Sequence, residues 1–405
     1  MRTVGVLRVS AVVALMAGVA SPLLAQEPAP ATRQVAIEQE QAEKTKTLHP
    51  YVVSPAERLM GKVGTILSGT SKSWHPFFGS AYAGGGFTLG GGFAHYLSPY
   101  SFVDMRASYT VKGYTRAEAE FVSPRLFQRR GSLTLLGGWR EATQVAFYGL
   151  GMDTTKDRRL NYSFQQPYAS ALLTVRPTRR ILLLRGGLEL SQWKEQPAPE
   201  GRFPRVEEVF NPDTLPGLGQ TVNYVHSQGT AGFDWRTSPG YSRRGGFYGV
   251  TFHDYHDRDE VSGFQQIDYE AIQHLPILRE AWVISLHGLA STTSTHDDQR
   301  VPFFMLPSLG GGSTLRGFSS WRFRDRNSLL LQAEWRIMVN RFFDTAVFYD
   351  AGKVAALTAD LNFDDLKSDY GFGVRFHGPF ATPLRVELAR GNEGLKFVFT
   401  TSPVF

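Results

Sequence analysis

Arg316, Glu334 and Asp350 are the side chains whose types and spacing best suit a defined piece of chemistry. A guanidinium is planar, permanently charged and rich in donors, so its natural partner is a carboxylate gripped through parallel hydrogen bonds. Arg316 stands in Leu315-Arg316-Gly317-Phe318, after the glycine-rich Leu309-Gly310-Gly311-Gly312-Ser313. Glu334 and Asp350 each stand in a run where apolar and polar residues alternate. This is the chemistry of an anchored ion pair and not of bond making. The chain has no Gly-x-Ser-x-Gly elbow, no P-loop and no HExxH, and we read it as a non-enzyme without cofactor or metal.

Two other clusters bear ligand-type residues. His253-Asp254-Tyr255-His256-Asp257-Arg258-Asp259-Glu260 is the densest. Imidazole and carboxylate together suit a metal ion, but a strand running out into a polar extracellular turn gives the same text, and we adopt that reading. His296-Asp297-Asp298 reads as the surface start of a long loop. Arg336, Arg375, Arg385 and Lys396 fall on polar faces, where they either line an ion-selective lumen or form lumenal salt bridges.

Alternation of period two supplies the elements that must position these groups, because it puts successive side chains on opposite faces of a strand. In Leu329–Ile337 the apolar set Leu329, Leu331, Ala333, Trp335 and Ile337 alternates with Gln332, Glu334 and Arg336. Phe343, Thr345, Val347 and Tyr349 alternate with Asp344 and Asp350, and Tyr370, Phe372, Val374 and Phe376 with Gly371, Gly373 and Arg375. The same holds for Leu384, Val386 and Leu388 against Arg385 and Glu387, and for Leu395, Phe397 and Phe399 against Lys396. A soluble sandwich would show such alternation too. Runs of about 9 residues with aromatics at their ends instead match tilted strands spanning a bilayer. Ten earlier segments, from Phe87–Leu97 to Ala281–Thr293, bring the total to about fifteen strands. Single-chain barrels take even numbers, so about sixteen are expected, the missing one lying within 79–97 or beside the 297–327 loop. Phe405 ends the chain, as an aromatic ends many outer-membrane barrels.

Composition agrees. The 405 residues include 41 glycines and no cysteine, which excludes a disulfide-stapled scaffold. A net charge of +6 is too small and dispersed to argue for nucleic acid. Arg2 and Arg8, an apolar run from Ala11 to about Ala20, and Leu23-Leu24-Ala25 form a signal-peptide pattern over residues 1–25. Residues 26–75 read as a short periplasmic extension, weakly ordered or partly helical at Arg33–Thr47, and residues 76–405 as the barrel.

The stretch from Val301 to Phe318 resembles the long sixth extracellular loop of the BamA/TamA-like (bacterial surface antigen) family. Phe348-Tyr349-Asp350-Ala351-Gly352, Gly371-Phe372-Gly373-Val374-Arg375 and the hairpin residues Asp234, Arg236, Pro239 and Gly246 resemble further motifs of that family. The resemblance covers about residues 234–375. It implies that the loop folds back into the lumen, that Glu334 and Asp350 receive Arg316, that Gly317 makes a tight turn and that Phe318 packs on the wall. Family members typically carry periplasmic POTRA domains, for which residues 26–75 are too short and too polar.

The expected protein is therefore all-β, a single antiparallel transmembrane β-barrel of about 16 strands with an in-folded long loop, in the bacterial outer membrane. Its first and last strands, Phe87–Leu97 and Gly394–Thr400, pair to close it. The resemblance implies assistance in insertion or translocation of polypeptide, or of lipid, by a monomeric barrel. Outer-membrane lipid and an unfolded or secreted polypeptide are the expected partners. The alternative is a passive pore or structural barrel.

Overall fold

The computed structural model of the chain describes residues 33–47, 73–178, 181–278, 280–295, 298–340, 342–378, 382, 384–401 and 405. The expected signal peptide and Pro403 lie outside them. The chain divides into two units, residues 1–55 and 56–405. In the first, α1 spans Arg33–Thr47. No apolar stripe runs its length, and Lys44 pairs with Glu40 one turn earlier at 2.6 Å, an exposed contact worth a few tenths of a kcal/mol.

The second unit is an antiparallel wall of sixteen strands. It begins with β1 (Trp74–Pro76), β2 (Thr88–Tyr96), β3 (Phe102–Thr110), β4 (Thr115–Leu126), β5 (Gly131–Phe147) and β6 (Leu160–Val175). It continues with β7 (Leu182–Pro197), β8 (Thr221–Asp234), β9 (Gly245–Asp257), β10 (Phe264–Ile277) and β11 (Trp282–Thr295). A long loop follows, holding the two-residue strands β12 (Ser308–Leu309) and β13 (Phe323–Arg324), which pair with each other. The wall resumes with β14 (Asn327–Met338), β15 (Phe343–Ala355), β16 (Lys367–Phe376), β17 (Leu384–Gly391) and β18 (Gly394–Thr400). Each strand pairs with its neighbour in sequence, β14 succeeding β11.

The two faces decide what kind of wall this is. Leu188, Leu190, Val250, Phe252, Trp335, Val347, Phe372 and Phe397 point outward and are exposed. Glu118, His226, Asp234, Gln332, Glu334, Asp350, Arg385 and Glu387 are buried within. A soluble protein would reverse this, whereas a membrane barrel requires it. Aromatic pairs mark the turn-side strand ends: Trp282 with Trp335, Phe343 with Phe376, and Trp235 with Tyr248.

Two details correct the sequence reading. The missing strand is β1, upstream of both places where it was expected. Its three residues carry no periodicity to detect. The barrel does not close by pairing Phe87–Leu97 with Gly394–Thr400. Instead β1 lies outside β2, pairing with Gly91–Phe93, and among the described residues no ladder joins β18 to β1 or β2. The described contact across this seam is between the rings of Phe87 and Phe399, 6.3 Å apart. The last strand ends at Thr400, where the alternation had placed its end, and Phe405 lies off it.

Candidate functional site

The loop between β11 and β14 turns inward. Phe303 and Phe304 enter a buried cluster with Phe147, Tyr162, Phe164, Trp193 and Tyr224 from β5 to β8. Burying two such rings stabilises the infolded loop by several kcal/mol, at roughly 1.5–3 kcal/mol per side chain. Beyond this anchor, Leu309, Leu315, Phe318 and Phe323 pack on Leu330 and Val354 of the wall. Arg316 is thereby delivered, fully buried, to the inner faces of β14 to β17.

Its guanidinium grips Asp350 through two bonds, Nε to Oδ2 and Nη2 to Oδ1, each 2.6 Å. Nη1 donates to Glu334 Oε1 at 2.6 Å and to Glu387 Oε1 at 3.3 Å. The group lies 3.4 Å over the ring of Phe348. Arg375 also pairs with Glu334 and, at 3.1 Å, with Glu387. Arg385 donates to Glu387 at 2.8 Å and to the carbonyl of Gly312 in the loop at 2.9 Å. Arg316, Arg375 and Arg385 thus pair with Glu334, Asp350 and Glu387, and a further buried acid, Asp369, lies against the loop tip at Gly317. Pairing is what makes the burial of these ions tolerable, since a buried ion that loses its partner costs about 3–5 kcal/mol. Gln332 completes the tether by donating to the carbonyl of Thr314 and to Asp350.

The glycines act by vacating space. Gly317 has no left-handed backbone. A Cβ there would sit 2.5 Å from that of Asp369 and 2.7 Å from the Gly391 nitrogen, so close approach, and not the expected tight turn, requires glycine. A Cβ on Gly371 would strike the Phe348 ring, and one on Gly373 the Glu387 side chain, each at 2.5 Å. Gly352 abuts Leu309 of the loop. The Phe318 ring rests by Gly391 and meets Phe323 edge-on.

The structure therefore brings Leu315, Arg316, Gly317, Phe318, Glu334, Asp350, Gly352, Gly371, Gly373 and Arg375 to one place. Phe405 is elsewhere. Its ring faces His287 at 4.9 Å and His274 at 6.1 Å, beside Leu183, Phe247 and Ile272. Glu387, Arg385 and Phe348 belong to the site and had not been singled out for it. Alternation put Glu387 and Arg385 on a polar face, but nothing in a single sequence says that β17 curves round to meet the loop. Of the other lumenal cations, Arg336 donates to Ser285 Oγ and Lys396 to Ser319 Oγ. In the histidine-rich segment, His253 meets His226 and Asp268, while Asp254 accepts from Gln265.

The same loop also touches both sides of the seam. Trp321 donates its indole N–H to the carbonyl of Ala83 at 2.9 Å and stacks on Tyr82 at 4.3 Å, on the β2 side. Arg322 pairs with Glu393 at 2.6 Å and Ser319 accepts from Lys396 at 3.0 Å, on the β18 side.

A sixteen-stranded wall with an apolar outside, a charged inside and a tethered loop defines an outer-membrane β-barrel. The chain belongs to the Omp85 superfamily, whose domain profile matches residues 101–402. Members of that superfamily insert or translocate polypeptide and are transporters or assembly factors, not enzymes. Among solved structures, the chain is similar to BamA from Haemophilus ducreyi lacking POTRA domains 1–3, at 14% identity and a TM-score of 0.58 over 82% of this chain and 70% of that one. It is also similar to CdiB from Escherichia coli, at 12% identity and a TM-score of 0.51, with 82% and 58% covered. The chain thus spans little more than half the length of CdiB. No curated protein sequence matches it significantly.

Proposed function

We propose that this barrel assists the insertion or translocation of polypeptide at the outer membrane by opening at the seam between β18 and the first two strands. The loop fixed by Arg316 acts as the strap that sets how easily it opens. One observation carries the reading. The two sheet edges share no described ladder, yet Trp321 on one side and Arg322 and Ser319 on the other belong to the same loop. An unpaired strand edge offers N–H and C=O groups to any extended chain, the usual route of strand addition. A permanently open pore is poorly supported, because the inward loop and the Phe405 ring occupy the lumen.

The test uses the absence of native cysteine. Phe87→Cys with Phe399→Cys, joined by oxidation or a short bismaleimide, locks the seam. Depletion of the native protein, with rescue by locked or reduced barrel, should show loss of outer-membrane proteins only for the locked form. Full rescue by a barrel shown to be locked would sink the proposal.

A further inference from the structure

Three exposed arginines crowd the barrel end opposite the long loop, the end whose short turns face the periplasm in barrels of this kind. β4 runs through Arg125 into the turn Phe127-Gln128-Arg129-Arg130, which enters β5 at Gly131. Arg125, Arg129 and Arg130 are all exposed. Phe127, Gln128 and Arg129 are held at φ +49°, +58° and +69°. Residues with a side chain visit this region singly and not in series, and strain of this kind collects where a ligand is clamped. The turn is fixed in place. The Arg130 N–H donates to the carbonyl of Leu126 at 3.0 Å, and the Arg130 carbonyl accepts from the Arg176 N–H at 2.6 Å.

The turn folds onto the lipid-facing side of the wall. Leu135 and Trp139 mark the outward face of β5, and Gly131 shares their phase. A Cβ on Gly131 would sit 2.6 Å from the Phe127 ring, so that ring lies over the outward face while staying 60% exposed. Arg125 lies 3.2 Å over the ring of Tyr100 in the β2–β3 turn. Aromatic rings beside cations at strand ends suit the bilayer interface.

The acids around the cluster are accounted for. None stands between Glu120 and Glu141 or between Asp157 and Glu189, so the β4–β5 and β6–β7 turns have none. Beyond the β2–β3 turn the first acid is Asp104, paired with His75 and Arg106. Glu120 pairs with Arg106 at 2.8 Å, and Glu118 with Arg106 and Arg116. On the other flank Asp234 is shared by Arg176 and Arg236, at 2.8 and 3.0 Å, and Glu280 faces Arg244 at 3.6 Å. Among the described residues Arg125, Arg129 and Arg130 thus keep three uncompensated charges. Guanidinium groups grip phosphate through paired hydrogen bonds. A zwitterionic headgroup also brings an ammonium, which would meet three like charges here and no carboxylate. A headgroup whose only charge is its phosphate avoids that repulsion. An acidic polypeptide in water would match the charge but leave the Phe127 ring unused.

We infer that this turn binds an anionic phospholipid of the periplasmic leaflet, with the phosphate on Arg129 and Arg130, Arg125 beside it and an acyl chain along Phe127.

The test uses the full chain in detergent micelles with phosphatidylglycerol or phosphatidylethanolamine, read by native mass spectrometry. The native barrel should retain phosphatidylglycerol about tenfold better, since each arginine near an anionic lipid contributes severalfold. Arg129→Gln with Arg130→Gln should erase that preference. Arg244→Gln, whose guanidinium already faces Glu280, should leave it unchanged. Heat-modifiable migration reports whether each variant folds, and Arg125→Gln, with an expected loss of about threefold, replaces the double variant if that one does not. Equal retention of the two lipids by the native barrel, or an undiminished preference in the folded turn variant, would overturn the inference. So would an equal loss in Arg244→Gln, which would reduce the effect to net charge. Displacement of phosphatidylglycerol by polyglutamate at equal concentration would overturn it too, by assigning the turn to an acidic chain in water.

Discussion

The wall from β5 to β8 and the wall from β16 round to β1 are held together by different forces. In the first, strands of 17, 16, 16 and 14 residues pair along most of their length, and aromatic rings fill the space behind them. In the second, strands shorten through 10, 8 and 7 residues to the three of β1, and ladder contacts run out altogether. There the loop takes over, with buried ion pairs on one flank and single side-chain contacts across the seam. Ladder hydrogen bonds are many and individually weak, so the long-stranded half has no one residue on which it depends. The seam half does, and substitutions should separate the two.

The largest separation should come from Arg316→Ala. It leaves Asp350 without its cation and takes one of two or more cationic partners from Glu334 and Glu387, and a buried pair broken from one side costs about 3–5 kcal/mol. The heat-modifiable shift of the folded barrel on a gel should move to lower temperature. Glu334→Gln should cost less, about 1–3 kcal/mol, because Arg316 keeps Asp350 and Arg375 keeps Glu387. If neither variant shifts the transition, the ion pairs are not what holds the seam half.

A glycine comparison sharpens the contrast. Gly317→Ala forces a methyl against Asp369 and the Gly391 backbone, an overpacking that should cost about 1–3 kcal/mol. Gly186→Ala in β7 meets nothing within 4 Å. It should be neutral or stabilise by about 0.5–1 kcal/mol through the entropy of the unfolded chain. The unfolding midpoint should fall below the native value in Gly317→Ala and stay at or above it in Gly186→Ala. Equal losses would mean that the loop tip is no more tightly fitted than the open wall.

How far this was legible follows from what a single strand can say. Alternation in Leu329–Ile337 and Leu384–Leu388 places Glu334, Arg385 and Glu387 on the inner face without any structure, because phase is a local property. The tether of Arg316 to Asp350 was reached through motif resemblance. Phase says nothing about curvature, so the arrival of β17 at the loop, and with it Glu387, was not legible. Nor was β1, whose three residues are too few for a period. Gly317 was expected for its backbone freedom and is needed for its missing side chain, a distinction that only the positions of Asp369 and Gly391 can make. Phe405 was read only as the aromatic that ends the chain, and its place against the histidines of β10 and β11 is a contact between residues far apart in sequence, which no local pattern shows.

The smallest effect on stability should accompany an informative effect on the seam. Trp321 is a bulky residue held at φ +63°, in the left-handed region that side chains other than glycine rarely adopt. Such a conformation costs about 1–2 kcal/mol. Its ring repays that cost by stacking on Tyr82 and bonding Ala83 across to the β2 side. Trp321→Gly deletes the strap and the strain together, so the unfolding midpoint should change by less than about 1 kcal/mol. A single cysteine at Val398, buried on β18 beside Gly312 of the loop, reports on the seam by its labelling rate. That rate should rise several-fold in Trp321→Gly and stay at the native value in Gly186→Ala. Faster labelling without lower stability would assign Trp321 to controlling the opening. Faster labelling in proportion to a loss of stability would reduce it to one more packing contact, and the loop would then be a prop for the seam half instead of its latch.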